Sequence, residues 1–307
     1  MNWQTLVHIP VSERTLSYED RFLSLGSCFA DNISHKMRSS FFRVCANPFG
    51  TLYNPLSIAR CFGEKCDYVQ EHNQLFHSMF HHGSFSSSTL DELQARTDAS
   101  WQVCQRAIEE ASVVIVTWGT AWVYTLDGIV VANCHKIPAQ RFERRRLMVE
   151  EIVEVWQEII HRYEDKYWIF TVSPIRHVKD GMHENQLSKA VLLSAVDALQ
   201  RSCPARVGYF PAYEIMMDEL RDYRFYADDM LHPSDAAVAY IWQRFVETMM
   251  KPETVREMAC CEQLYRDLNH RPLHPESEAY RLFREVVEER YRQMTERYPW
   301  LESELKK

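Results

Sequence analysis

Hydrophobic and polar positions along the chain fall into two rhythms. Uninterrupted apolar runs stand at residues 22–25, 113–117 and 167–172, with a shorter one at 207–210. Successive side chains of a strand point to opposite faces, so a run apolar at every position predicts a strand covered on both sides. Between the runs, apolar residues recur every three or four positions. Residues 149, 152, 153, 156, 159 and 160 do so within 147–163, the spacing of one helix face. Residues 30–39 and 184–199 predict further helices, and Ser234 is a favourable N-cap for another from 235 to about 249. The stretches 122–124 and 129–132 flank Asp127-Gly128 and predict a hairpin. The order strand, helix, four times over, gives an α/β fold: a mostly parallel sheet sandwiched between helices.

Ligands of such sheets bind at the carboxyl ends of the strands. Here those ends are Gly26-Ser27, Gly119-Thr120 and Ser173-Pro174. Residues 47–98 read as long and irregular, and are expected to supply loops over that edge. From Pro252 onward the chain turns dense in Glu and Arg, with Phe283, Val287, Met294 and Tyr298 at helical spacing. The expected division is therefore a catalytic domain over 1–250 and a helical extension over 251–307, docked on the domain or on a second copy.

Composition narrows the function classes. With 307 residues, 46% of them hydrophobic, the chain can fill one large core. A formal charge of −8 argues against a broad basic face for nucleic acid. Nine cysteines, an odd count without a C-x-x-C pair, read as reduced thiols rather than as a disulfide or zinc framework. The first twenty residues lack the apolar core of a signal peptide. The uncharged run 111–126 is shorter than the ~20 residues a membrane span needs. A cytoplasmic protein with no membrane partner, no metal and no cofactor is expected.

Chemistry is suggested at both ends of the α/β region. In Leu25-Gly26-Ser27-Cys28-Phe29-Ala30 a serine stands at a strand-to-helix turn, where a helix N-terminus favours an oxyanion. Capping that helix is the plainer role for the same serine. A serine becomes a good nucleophile when a histidine takes its proton. His232, three residues after Asp229, is the candidate base, and on one helical turn the carboxylate would orient the imidazole.

The opening pentapeptide Gly26-Ser27-Cys28-Phe29-Ala30, with Asp229-Met230-Leu231-His232 before the last core helix, resembles the GSCFA family of the SGNH (GDSL-like) hydrolase superfamily. The segments 47–55, 118–124, 171–177 and 226–233 are similar to that family too. The resemblance implies a flavodoxin-like three-layer α/β/α sandwich and a serine esterase. Ser27 matches the nucleophile, His232 the base and Asp229 its orienting acid. Gly50 matches the glycine whose N–H joins that of Ser27 in the oxyanion hole. The superfamily's third block is Gly-x-Asn-Asp, whereas this chain has Gly119-Thr120 and no Asn. Losing such a donor costs roughly 3–4 kcal/mol of transition-state stabilisation. Thr120, or Asn54 from the loop, is the expected replacement. The implied substrate is an O-acyl ester, in the superfamily's manner an O-acetylated carbohydrate. Transfer to an alcohol or sugar, or a non-catalytic module that only binds its ligand, are the alternatives.

Other residues have competing roles. Cys28 is an alternative nucleophile. Adjacent side chains diverge, however, so if Ser27 faces His232 then Cys28 is expected to face the core. His77, His81 and His82 have spacing suited to a metal on a helix, but neighbouring Gly83 and serines argue for a loop with a pocket or surface role. Arg176 and His177 follow a strand end and either bind an anionic part of the substrate or form a rim salt bridge. Asp31 with His35, and the run 141–146, read as solvated. Trp118, Trp122 and Tyr124 suit core packing or stacking on a sugar.

Overall fold

The computed structural model describes residues 5–10, 12 and 14–301; the first four residues and residues 302–307 of the expected extension lie outside the described residues. The strands are β1 Arg21–Gly26, β2 Arg43–Ala46, β3 Val69–His72, β4 Leu75–Ser78, β5 Val113–Trp118, β6 Trp122–Leu126, β7 Ile129–Val131, β8 Glu143–Arg146, β9 Tyr167–Val172 and β10 Val207–Tyr209. The helices are α1 Cys28–Ser39, α2 Pro55–Ala59, α3 Leu90–Glu110, α4 Val149–Arg162, α5 Met182–Ser202, α6 Ala212–Glu214, α7 Asp235–Met249, α8 Pro252–Leu268 and α9 Glu278–Arg297.

A five-stranded sheet in the order β10-β9-β5-β1-β2 forms the centre, with every pairing parallel. Strand β5 shows why its sequence is apolar throughout. Val114, Val116 and Trp118 enter a core with Cys104 and Ile108 of α3, Trp156 of α4 and Leu192 of α5. Val113 and Ile115 point the other way, into a core with Phe29 and Ile33 of α1 and Ile241 and Phe245 of α7. One strand thus feeds two cores, which is the three-layer α/β/α sandwich expected.

Four local readings need correction. Residues 47–98 are not wholly irregular: α3 begins at Leu90, and β3 pairs antiparallel with β4. Helix α3 escapes the hydrophobic pattern because its buried face is built from Leu93, Thr97, Ser100, Cys104 and Ile108, half of it small or polar. Strand β2 is four residues at the sheet edge and half-buried, too short to leave a pattern. Residues 143–146 are not a solvated turn but β8, which pairs with β6 and lays Arg144 over the Trp122 ring at 4.0 Å. The Asp127-Gly128 hairpin is as expected, with both residues at positive φ (51° and 77°).

The extension packs on the sandwich. Met258, Cys261 and Leu264 of α8, with Val287 of α9 and Leu301, share the core of α1 and α7. No helix among the described residues is long and apolar enough to cross a membrane.

Candidate functional site

The carboxyl ends of β1, β5 and β9 open on a cavity of about 600 Å³. That is the size of small-molecule sites. Its wall includes Cys28, Tyr53, Asn54, Thr120, Trp122, Tyr124, Arg176, His177, Lys179 and His232.

The turn carrying Ser27 and Cys28 is fixed by Gly26 and Asn47. Gly26 has φ +140°, and a Cβ there would lie 2.1 Å from the Thr117 carbonyl oxygen, so the chain turns only with glycine. The Gly26 N–H donates to Asn47 Oδ1 at 2.8 Å, and Asn47 Nδ2 donates to Asp31 Oδ1 at 2.7 Å. Asp31, expected to be a solvated partner of His35, instead ties α1 to this loop, and Thr51 Oγ1 donates to its second oxygen.

This turn places the two candidate nucleophiles differently from the expectation. Ser27 is 0% exposed, and its Oγ accepts from the Phe29 N–H at 3.3 Å, capping α1. Cys28 is half-buried and lines the cavity; it does not face away into the core. The side chain of a cap folds back over the helix's first turn, whereas the first helical residue projects from the rim. Burial pushes the Cys28 thiol above its ordinary pKa, and Asp31 adds to this. The N–H groups of Cys28 and Phe29, and the charge of Lys189, act the other way.

His232 and Asp229 form the expected pair. His232 Nδ1 and Asp229 Oδ2 are 2.5 Å apart. The segment is a tight loop closed by a Tyr226–Pro233 bridge, not a helical turn, with Met230 at φ +57°. Asp229 Oδ1 also accepts the N–H groups of Leu231 and His232 at 2.8 and 2.9 Å. Those bonds, the His232 N–H first, hold the Asp229 carboxyl down to about 2. Asp229 therefore stays anionic through the neutral range. The His232 side chain is 47% exposed at the cavity mouth, and no hydrogen bond joins it to Ser27.

The expected oxyanion donors are already engaged. The Ser27 N–H donates to Thr117 O at 3.2 Å and the Gly50 N–H to Asn47 O at 2.7 Å. Gly50 packs against His82, away from the cavity wall. The N–H groups of Gly119 and Thr120 both donate to Tyr53 O, at 2.8 and 3.0 Å. Asn54 caps α2, its Oδ1 accepting from Ser57 N and its Nδ2 donating to Ser57 Oγ. Asn54 and Thr120 still line the cavity, with Thr120 Oγ1 3.1 Å from Ser188 Oγ.

His177 and Arg176 do reach the site. A Cβ on Gly119 would lie 3.4 Å from His177 Nε2 and 3.5 Å from the Ser27 Cβ, so glycine lets the imidazole close over the serine. Burial, with Lys189 and His232 nearby, lowers the His177 pKa to about 4. Its Nε2 is buried without a hydrogen-bond partner. Arg176 stacks on Tyr226 at 4.0 Å and donates to the Met230 carbonyl, tying the β9 exit to the histidine loop. No carboxylate stands among the described lining residues.

Sequence reasoning missed Lys189. It is 1% exposed, and its Nζ donates to Gly119 O and Ser173 O, both at 2.7 Å. Its signal was present: Lys189 occupies the register of the apolar stripe continued by Leu192, Val196 and Leu199.

The other histidines form a separate structural group. His77 Nδ1 lies 2.7 Å from Ser86 Oγ, His81 Nδ1 2.7 Å from Ser78 Oγ, and His77 stacks on His135 with ring centroids 4.8 Å apart. No cluster of His, Cys, Asp or Glu among the described residues has metal-binding geometry.

The family model of the GSCFA family matches residues 21–245, and that of the GSCFA domain protein, C-terminal domain, matches residues 261–307. No curated protein matches the chain.

Proposed function

The chain belongs to the GSCFA family, and we propose that it hydrolyses or transfers an O-acyl group, with Asp229–His232 as the proton-handling pair and Cys28 as the nucleophile. One observation carries this reading: the Cys28 thiol and the His232 imidazole line the same cavity, while the Ser27 hydroxyl is buried as a helix cap. His232 Nε2 takes the thiol proton, and Asp229 stabilises the imidazolium through Nδ1–H. The sulfur attacks the ester carbonyl, and the C–O bond breaks as His232 returns the proton to the leaving alcohol. Water then cleaves the acyl-thioester; a sugar or alcohol in its place gives transfer. The N-terminus of α1 favours negative charge at both stages.

The resemblance to SGNH hydrolases supports an acylated carbohydrate as substrate, and the aromatic wall of Tyr53, Trp122 and Tyr124 suits a sugar ring. Ser27 as nucleophile is the second reading. It is favoured by the closeness of His177 across Gly119 and requires the cap to open.

Turnover of p-nitrophenyl acetate tests the proposal. His232→Ala is expected to lower kcat/KM by about 10²–10⁴-fold, the range of general-base catalysis. Folded wild-type protein that neither turns over activated esters nor forms an acyl adduct would leave a binding module.

The cations on the wall make a separate prediction. Arg176 and Lys179 have no carboxylate partner among the described residues. Arg176→Gln is expected to raise KM for an anionic ester such as a hemisuccinate about tenfold or more, the loss of one charge-assisted contact. KM for the acetate should change little. Equal changes for both esters would make Arg176 only a tie for the histidine loop.

A further inference from the structure

A buried ammonium with no carboxylate partner is costly, because taking a charge out of water is repaid only by an opposite charge or strong hydrogen bonds. Lys189 is such a group. Its Nζ is held by two carbonyls, the first residue after β5 and the first after β9, and by the Tyr213 ring at 5.6 Å. Bridging two carbonyls needs only a neutral amide or a water molecule. A cation here has a further use if an anion forms beside it.

Its surroundings identify that anion. Cys28 and Asp31 face the region from α1, Tyr53 from the loop before α2, and His177 from the β9 exit with His232 behind it. Tyr213 of α6 completes the shell. His177 is neutral near pH 7, and Asp31 is already bonded to Asn47 and Thr51. Cys28 is the group whose charge couples to Lys189 from both sides: the lysine favours the thiolate, and the thiolate favours the ammonium.

We propose that Lys189 is a positioning residue that serves as the built-in counter-charge for the anion at the N-terminus of α1. That anion is the Cys28 thiolate before attack and the oxyanion after it. The same two hydrogen bonds fix the β5 and β9 ends against each other, so the charge is held in place. The inference rests on the reading of Cys28 as nucleophile. Burial lowers the lysine's pKa to about 7, with Cys28 raising it, which makes the pair titrate together near neutrality.

The test is alkylation of Cys28 by iodoacetamide from pH 6 to 10, read by mass spectrometry of its peptide in the full chain. In Lys189→Met the apparent pKa of Cys28 should rise by about one unit, so alkylation below it slows about tenfold. Exposed Cys66 in the same molecules should not change. Coupling is reciprocal, so the Lys189 Cε resonance should titrate at lower pH in Cys28→Ala than in wild type. This second measurement decides alone if Lys189→Met does not fold. Unchanged Cys28 profiles in folded Lys189→Met, or an unmoved Lys189 titration in Cys28→Ala, would overturn the proposal. Intact coupling without ester turnover would sink the enzyme reading and leave the charge pair standing.

Discussion

Cys28→Ala is expected to reduce ester turnover by about 10³-fold or more, the scale seen when a nucleophile that works as a unit with its base is removed. It should also abolish the acyl adduct detectable by mass spectrometry. Ser27→Ala should behave differently. It removes the acceptor for the Phe29 N–H and is expected to cost about 1 kcal/mol of stability, as loss of a helix cap does, while leaving most of the turnover. The physical ground is position within one turn. Ser27 is the cap and is 0% exposed, whereas Cys28 is the first helical residue and lines the cavity. The opposite pattern, with activity lost in Ser27→Ala and kept in Cys28→Ala, would restore the serine nucleophile and require the cap to open during the reaction. Loss in neither would remove both from the chemistry.

The sandwich was legible because its strands carry their environment in their composition. β5 and β9 are apolar at successive positions, and each really does feed two cores. What stayed illegible was built from residues that bury without being hydrophobic. The stripe of α3 runs through Thr97, Ser100 and Cys104, and β2 is four half-buried residues at an edge. Burial there is set by neighbours, which periodicity does not register.

The site shows the same division. Asp229 and His232 are close in sequence, so their pairing could be read from spacing, although the loop that achieves it is not the helical turn inferred. Which of two adjacent residues faces the cavity is different. It depends on where α1 begins, a boundary set by Gly26 and by Asn47 reaching from another segment. Gly50, Gly119, Asn54 and Thr120 have suitable donors for an oxyanion, but the loops that bring them near the rim use those donors to hold themselves together. Lys189 lay hidden for the reverse reason. A lysine in a helix is ordinarily solvated, and only its register with Leu192 and Val196 marks it as buried.

Acidification is expected to destabilise the fold steeply between pH 6.5 and pH 4. Burial lowers the pKa of His81, His135 and His177 to about 4 each, against an ordinary 6.5. Their surroundings explain the direction. His81 is 6% exposed, stacks on Phe49 at 4.4 Å, and has a buried Nε2 with no partner. His135 sits against His77, and its Nδ1 is likewise buried and unpartnered. None of these rings has a carboxylate beside it to accept a new charge. Between the two pKa values the unfolded chain binds protons that the folded one does not, so stability falls with pH. The contribution is fully present above 6.5 and lost through 4. For His81 the shift corresponds to about 3 kcal/mol at most; the less enclosed His177 contributes less. Together they are a sizeable part of the 5–15 kcal/mol typical of a whole fold. Other shifted groups act outside this window: Asp229 titrates near 2, and Lys189 changes its contribution only above its folded value of about 7. Urea midpoints measured from pH 7.5 to 4.5 should therefore drop steadily below 6.5, and His81→Gln should flatten the slope. Midpoints that stay level across the range would mean that these rings accept protons in the folded state and are less enclosed than their packing implies.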